Sequence, residues 1–149
     1  MSRLHLHIAV EDIQKNIEFY SALFGASPTK VEEDYVKWQL DDPKVNFAIS
    51  NRSTTTGVDH VGIQTETTEE LTLIEQRLTD AGIKGVSQES STCCYSESEK
   101  YWTIDPQGVP WETFHTLGSA KVFKLDDRLD NSNNDSSTSC CAPSIASCC

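Results

Sequence analysis

The sequence contains no apolar run approaching the roughly 18 residues that a membrane-spanning helix needs. Its opening MSRLHLHIAVEDI also lacks the continuous apolar stretch of a secretory leader. These absences predict a cytoplasmic chain whose thiols stay reduced. Basic residues are scarce, with 12 Lys and Arg against 23 Asp and Glu and a net charge of −11. Such a balance repels nucleic-acid phosphates and anionic lipid, so neither nucleic acid nor membrane is expected as a partner, and a neutral or cationic small molecule suits better. There is no glycine-rich phosphate loop, G-x-S-x-G nucleophile elbow or CxxC zinc pattern. The six cysteines occur only as adjacent pairs, which is no disulfide framework.

What is present concentrates between Cys93 and Glu112, in CCYSESEKYWTIDPQGVPWE. Consecutive Cα atoms lie about 3.8 Å apart, below the separation of about 4.4–6.8 Å usual for bridged cysteines. Cys93 and Cys94 are therefore expected as free thiols able to clamp one thiophilic atom, such as trivalent arsenic or cadmium; the plainer alternative is a pair of small buried residues at a strand edge. The segment closes on a carboxylate, Glu112, beyond an Asp105-Pro106-Gln107-Gly108 turn. Soft sulfur and hard oxygen donors suit different elements, one as substrate and one as cofactor.

The chain also repeats itself. LHLHIAV over residues 4–10 alternates, with Leu6, Ile8 and Val10 on one face and His5, His7 and Ala9 on the other. Asp12 is placed to cap a helix carrying Ile13, Ile17, Tyr20 and Phe24, with Gly25 after its end. Strands are expected over Tyr35–Leu40 and Val45–Ser50, either side of an Asp42-Pro43 turn. After a linker at 51–57 the pattern restarts: a strand over His60–Gln64, then a helix opened by a Thr67/Glu70 capping box and striped by Leu71, Ile74, Leu78 and Ala81. Further strands are expected at Gly85–Gln88, Tyr101–Ile104 and Pro110–His115. His5 precedes Asp12 by seven residues, and His60 precedes Thr67 by seven. Two modules, about 1–50 and 58–118, are therefore expected to build one curved sheet in a domain spanning 1–118. Residues 119–149 are rich in Ser, Asn and Asp and poor in apolar residues, and are expected to be disordered; Cys140-Cys141 and Cys148-Cys149 there are either incidental or soft-metal scavengers.

Two histidines and one carboxylate form a set that leaves positions open on non-haem Fe(II) for dioxygen and substrate. His5, His60 and Glu112 supply it. A fourth donor would come from the position matching Glu112 in the first module, and the candidates there, Ala48 and Ile49, cannot ligate. His7 shares the face of His5 and reads as a supporting or pocket residue. His115, out of phase with Glu112 on its strand, reads as unrelated. Trp102 and Trp111 read as core or pocket wall, and the polar Ser96–Lys100 as a mobile lid.

The strand from His5, the following IEFY, His60 with its neighbouring glycine, and DPQGVPWE together resemble the vicinal oxygen chelate superfamily of glyoxalases, bleomycin-resistance proteins and extradiol dioxygenases. Within it, MSR, STCCYSESEKYW and the cysteine-rich end are similar to the carbon–arsenic lyase and cadmium-induced protein families. The resemblance implies an α+β fold of paired βαβββ modules in a curved mixed sheet around a metal site. It further implies Fe(II)- and dioxygen-dependent cleavage of the carbon–arsenic bond of trivalent organoarsenicals such as methylarsenite. The implied metal ligands are His5, His60 and Glu112, the implied arsenic-binding thiols are Cys93 and Cys94, and a homodimer is allowed. Other readings are a cadmium- or arsenite-sequestering protein, explaining the cysteines alone, a metal-dependent isomerase or thiol transferase, explaining the histidines and glutamate alone, and a metal-free drug-binding protein, explaining neither.

Overall fold

Alternation in the first strand separates two environments. In β1 (Arg3–Ala9), His5 and His7 are buried on one face, whereas Leu6 and Ile8 turn to the other and pack against a hydrophobic cluster. That cluster holds Val10, Val36, Trp38, Phe47 and Ile49, and α1 (Ile13–Phe24) covers it with Ile13, Ile17, Tyr20 and Phe24. Asp12 caps α1 by accepting the backbone N–H of Lys15, and Gly25 ends it in the left-handed region at φ 61°. The Tyr20 and Phe47 rings lie 4.5 Å apart, and the Trp38 indole N–H donates to the carbonyl of Ala26.

The computed structural model describes the backbone of residues 2–93 and 96–119, and all their side chains except those of 89–93, 96 and 119. The first module continues with β2 (Lys30–Val31), β3 (Tyr35–Asp41) and β4 (Lys44–Ser50). The second comprises β5 (Gly57–Thr65), α2 (Thr68–Asp80), β6 (Gly85–Cys93), β7 (Ser96–Ile104) and β8 (Pro110–Ser119). Each module is thus βαβββ, and together they form one mixed eight-stranded sheet in the order β2-β3-β4-β1-β5-β8-β7-β6. The two halves join through the antiparallel pair β1–β5, and each first strand has its module's last strand parallel on its outer side.

Some local expectations change. β2 has two residues, too few to show a period in the sequence. Thr67 caps α2 by accepting the N–H of Glu70, but the Glu70 carboxylate reaches the N–H of Glu66 rather than that of Thr67, so the capping box closes one residue early. In α2 only Leu71 is buried, and Ala81 is exposed beyond the helix end. Ser96–Lys100 is no lid: it forms the first half of β7, paired to β6 on one side and β8 on the other. Its sequence is polar on both faces, since Ser98 and Lys100 are polar although buried, and such a strand lacks the apolar signal by which strands are read. The expected disorder of 119–149 falls, beyond Ser119, outside the described residues. No helix among the described residues is long and apolar enough to cross a membrane.

Candidate metal centre

The site is built on the β1–β5 seam. His5 stands opposite Gly62 and His7 opposite His60, so the sequence spacing that relates His5 to His60 also maps this pairing onto itself. On the outer strands, Gly62 is level with Glu112 and His7 is level with Ala48. Ala48 therefore occupies the first-module counterpart of Glu112. The two-fold arrangement supplies two histidines but only one carboxylate.

These three side chains converge. His5 Nε2 lies 3.0 Å from His60 Nε2, and Glu112 Oε2 lies 3.5 Å from the former and 3.3 Å from the latter. All three residues are buried, with exposures of 4%, 1% and 4%. Donors about 2.1 Å from one ion lie about 3.0 Å apart at right angles and about 3.4 Å apart at the tetrahedral angle, so the spacing fits a single small cation.

The ring orientations are fixed from behind. His5 Nδ1 is 3.0 Å from the carbonyl oxygen of Asn46, which only accepts, so His5 carries its hydrogen on Nδ1. His60 Nδ1 donates to Asp59 Oδ2 at 2.7 Å. Both Nε2 atoms therefore face the shared centre, the arrangement that second partners give metal-binding imidazoles. Two lone pairs this close require a positive species between them. Burial, then the neighbouring charge of His60, lowers His5 to a pKa of about 4. For His60, burial is outweighed by Asp59 and Glu112, and the pKa rises to about 9. Burial alone would raise Glu112, but Lys100 and His60 hold it well below the ordinary carboxylate value. Lys100, itself buried, places Nζ 2.6 Å from Glu112 Oε1.

His7 widens the cluster. His5, His7 and His60 offer nitrogens all within 4.8 Å of one another, a grouping that could also hold a cation. His7 Nε2, however, bonds Ser50 Oγ at 2.9 Å, and the His5–His60–Glu112 set is tighter. Aromatic rings wall the site: Trp102 meets His60 edge-on at 5.3 Å and Phe114 meets His5 at 5.2 Å. His115 lies elsewhere, with Nδ1 3.4 Å from the carbonyl of Thr65. Trp111 is half-buried, its N–H directed at Asp105.

Of the six cysteines, only the backbone of Cys93 is described, and it stands apart from the site. The Cys93 backbone ends β6 opposite Ser96. Trp102, level with Glu112, is six residues further along β7, about 20 Å at the usual strand rise. The Cys93 side chain, and Cys94, Cys140, Cys141, Cys148 and Cys149, lie outside the described residues. Three contributors escaped the sequence reading: Asp59, signalled only by adjacency to His60; Asn46, acting through its backbone; and Lys100, hidden in the segment read as a lid.

The family model for the Glyoxalase/Bleomycin resistance protein/Dioxygenase superfamily matches residues 3–113. The chain belongs to this superfamily. Among curated relatives, it is 38% identical to a trivalent organoarsenical cleaving enzyme of Bacillus sp. (strain MD1), over 99% of this chain and 94% of that protein. It is 29% identical to the cadmium-induced protein CadI of Mycobacterium bovis, over 98% and 97%. Among solved structures, an extradiol ring-cleaving dioxygenase from B. fuscum superposes with a TM-score of 0.60 at 16% identity, over 80% of this chain and 34% of that one, and shows the shared fold. The paired βαβββ architecture of the glyoxalase superfamily is thus both the one expected and the one observed.

Proposed function

We propose that this glyoxalase-superfamily protein cleaves the carbon–arsenic bond of trivalent organoarsenicals such as methylarsenite, using Fe(II) and dioxygen, and releases inorganic arsenite. The observation that carries the reading is the buried convergence of His5, His60 and Glu112 with spacing that suits one cation. The substrate class is supported by the relatives named for cleaving trivalent organoarsenicals. Fe(II) held by His5, His60 and Glu112 would supply the redox chemistry by which dioxygen oxidises the carbon off the arsenic, leaving arsenite.

The chain's own residues hold and shield. Asn46 and Asp59 aim the two Nε2 atoms, while Trp102 and Phe114 exclude water beside the rings. Cys93 and Cys94 grip the arsenic, which makes the reaction effectively unimolecular. The Cys93 backbone lies about 20 Å along β7 from the level of Glu112, so the thiol role rests on the substrate class named for the relatives and is tested by Cys93→Ser and Cys94→Ser. Methylarsenite is uncharged near neutral pH, so the acidic chain does not repel it.

Glu112→Ala tests the assignment. It is expected to abolish stoichiometric Fe(II) binding and arsenite release while the far-ultraviolet circular dichroism stays that of the parent. Full iron occupancy in that variant rejects the ligand set.

A further inference from the structure

Glu112 divides its two oxygens between different neighbours. Oε2 faces His5 and His60, and Oε1 accepts from Lys100 Nζ at 2.6 Å. Lys100 stands opposite Phe114 on β8, two residues beyond Glu112, so its side chain runs diagonally across the sheet face to reach the carboxylate. It is only 7% exposed. An ammonium buried to this degree is costly unless a charge and hydrogen bonds compensate it, and Glu112 provides both.

The choice of cation matters. An arginine fork engages both oxygens of a carboxylate at once and would compete with a metal for Glu112. A lysine ammonium is a compact point donor and can hold one oxygen alone. Carboxylates bind metal ions through either one oxygen or both. With both oxygens bound, Glu112 would fill one more coordination position, leaving fewer for exogenous ligands.

We propose that Lys100 is a positioning residue that occupies Oε1 of Glu112, so that the carboxylate presents Oε2 alone to the metal. This rests on His5, His60 and Glu112 being the metal ligands. Lys100 thereby keeps the coordination sphere open, and its effect passes through the binding mode of Glu112 rather than through contact with substrate.

The test reads that binding mode directly. Fe(II) is added without oxygen to the full chain, and the metal-induced infrared difference spectrum is recorded, with the Glu112 bands identified by their shift when glutamate is labelled with carbon-13 at its side-chain carboxylate. A carboxylate bound through one oxygen shows a wide gap between its antisymmetric and symmetric stretches; one bound through both shows a narrow gap. The parent protein is expected to show the wide gap and Lys100→Met the narrow one, with Fe(II) still bound. A wide gap retained in Lys100→Met overturns the role of Lys100 alone. Fe(II) binding in the parent with no Glu112 band overturns the ligand set and this inference together. A second measurement needs no variant: the Lys100 ammonium resonance in nitrogen-15-labelled protein is expected to remain in slow exchange, and coupled to the Glu112 carboxylate, after loading with Zn(II). Loss of that coupling on loading overturns the inference even if Lys100→Met fails to fold.

Discussion

Gly62 packs directly against the Glu112 backbone, so adding one methyl group there perturbs the site. A Cβ at Gly62 would sit 1.9 Å from the carbonyl oxygen of Glu112 and 2.8 Å from its carbonyl carbon. The first distance is roughly 1.5 Å short of the 3.4 Å at which ordinary contact begins. Both obstructing atoms are backbone in the β5–β8 ladder, so no side-chain rotation relieves the clash and the strands must part. Forced overpacking typically costs about 1–3 kcal/mol, and the upper end applies where backbone must move. At about 3–4 °C per kcal/mol for a domain of this size, Gly62→Ala should melt roughly 10 °C below the parent. The same movement carries Glu112 away from His5 and His60, so Co(II) affinity should fall more than about tenfold, or about 1.4 kcal/mol. Gly118→Ala serves as the control, because a Cβ there meets nothing within 4 Å. Thermal unfolding by circular dichroism and Co(II) titration read both effects. A Gly62→Ala protein that melts within about 2 °C of the parent and binds Co(II) normally would refute the reasoning.

Other consequences follow from neighbouring residues. Asp59→Ala removes the acceptor that holds His60 Nδ1, and Co(II) affinity by calorimetry should drop about 10–100-fold; unchanged affinity would contradict the orienting role. His60 is protonated below its pKa of about 9, and a bound cation must displace that proton. Apparent Co(II) affinity should therefore rise about tenfold per pH unit from neutrality and level off near pH 9, and a flat profile would count against His60 as a ligand. A chain ending at Gly118 should keep the parent's circular dichroism, since 119–149 carries no periodic apolar face; loss of the folded signal would show that the tail contributes to folding.

The duplicated plan was legible because it rests on short-range patterns. Alternation placed His5 and His7 together, equal distances from histidine to helix cap related His5 to His60, and of the two expected counterparts of Glu112, Ala48 and Ile49, the sheet register selects Ala48. What escaped depends on contacts made across the sheet. Lys100 meets Glu112 only because β7 begins at Ser96, and the polar sequence there gives no strand signal. Asn46 acts through a carbonyl that any residue would provide. β2 exists only as an addition to the edge of β3.

The central claim is cleavage rather than storage, and arsenite released per protein decides it. The full chain is incubated with Fe(II), air and methylarsenite under single-turnover and multiple-turnover conditions, beside Cys93→Ser, Cys94→Ser and a variant lacking Cys140, Cys141, Cys148 and Cys149. The account predicts many arsenite molecules per parent protein and none from either Cys93→Ser or Cys94→Ser, each with Fe(II) still bound. The variant without the tail cysteines should turn over nearly as fast as the parent at saturating substrate. Methylarsenite held in proportion to the number of cysteine pairs, with no arsenite released, would contradict the account and identify a sequestering protein. Normal turnover by Cys93→Ser would leave the enzyme standing and remove the thiol clamp.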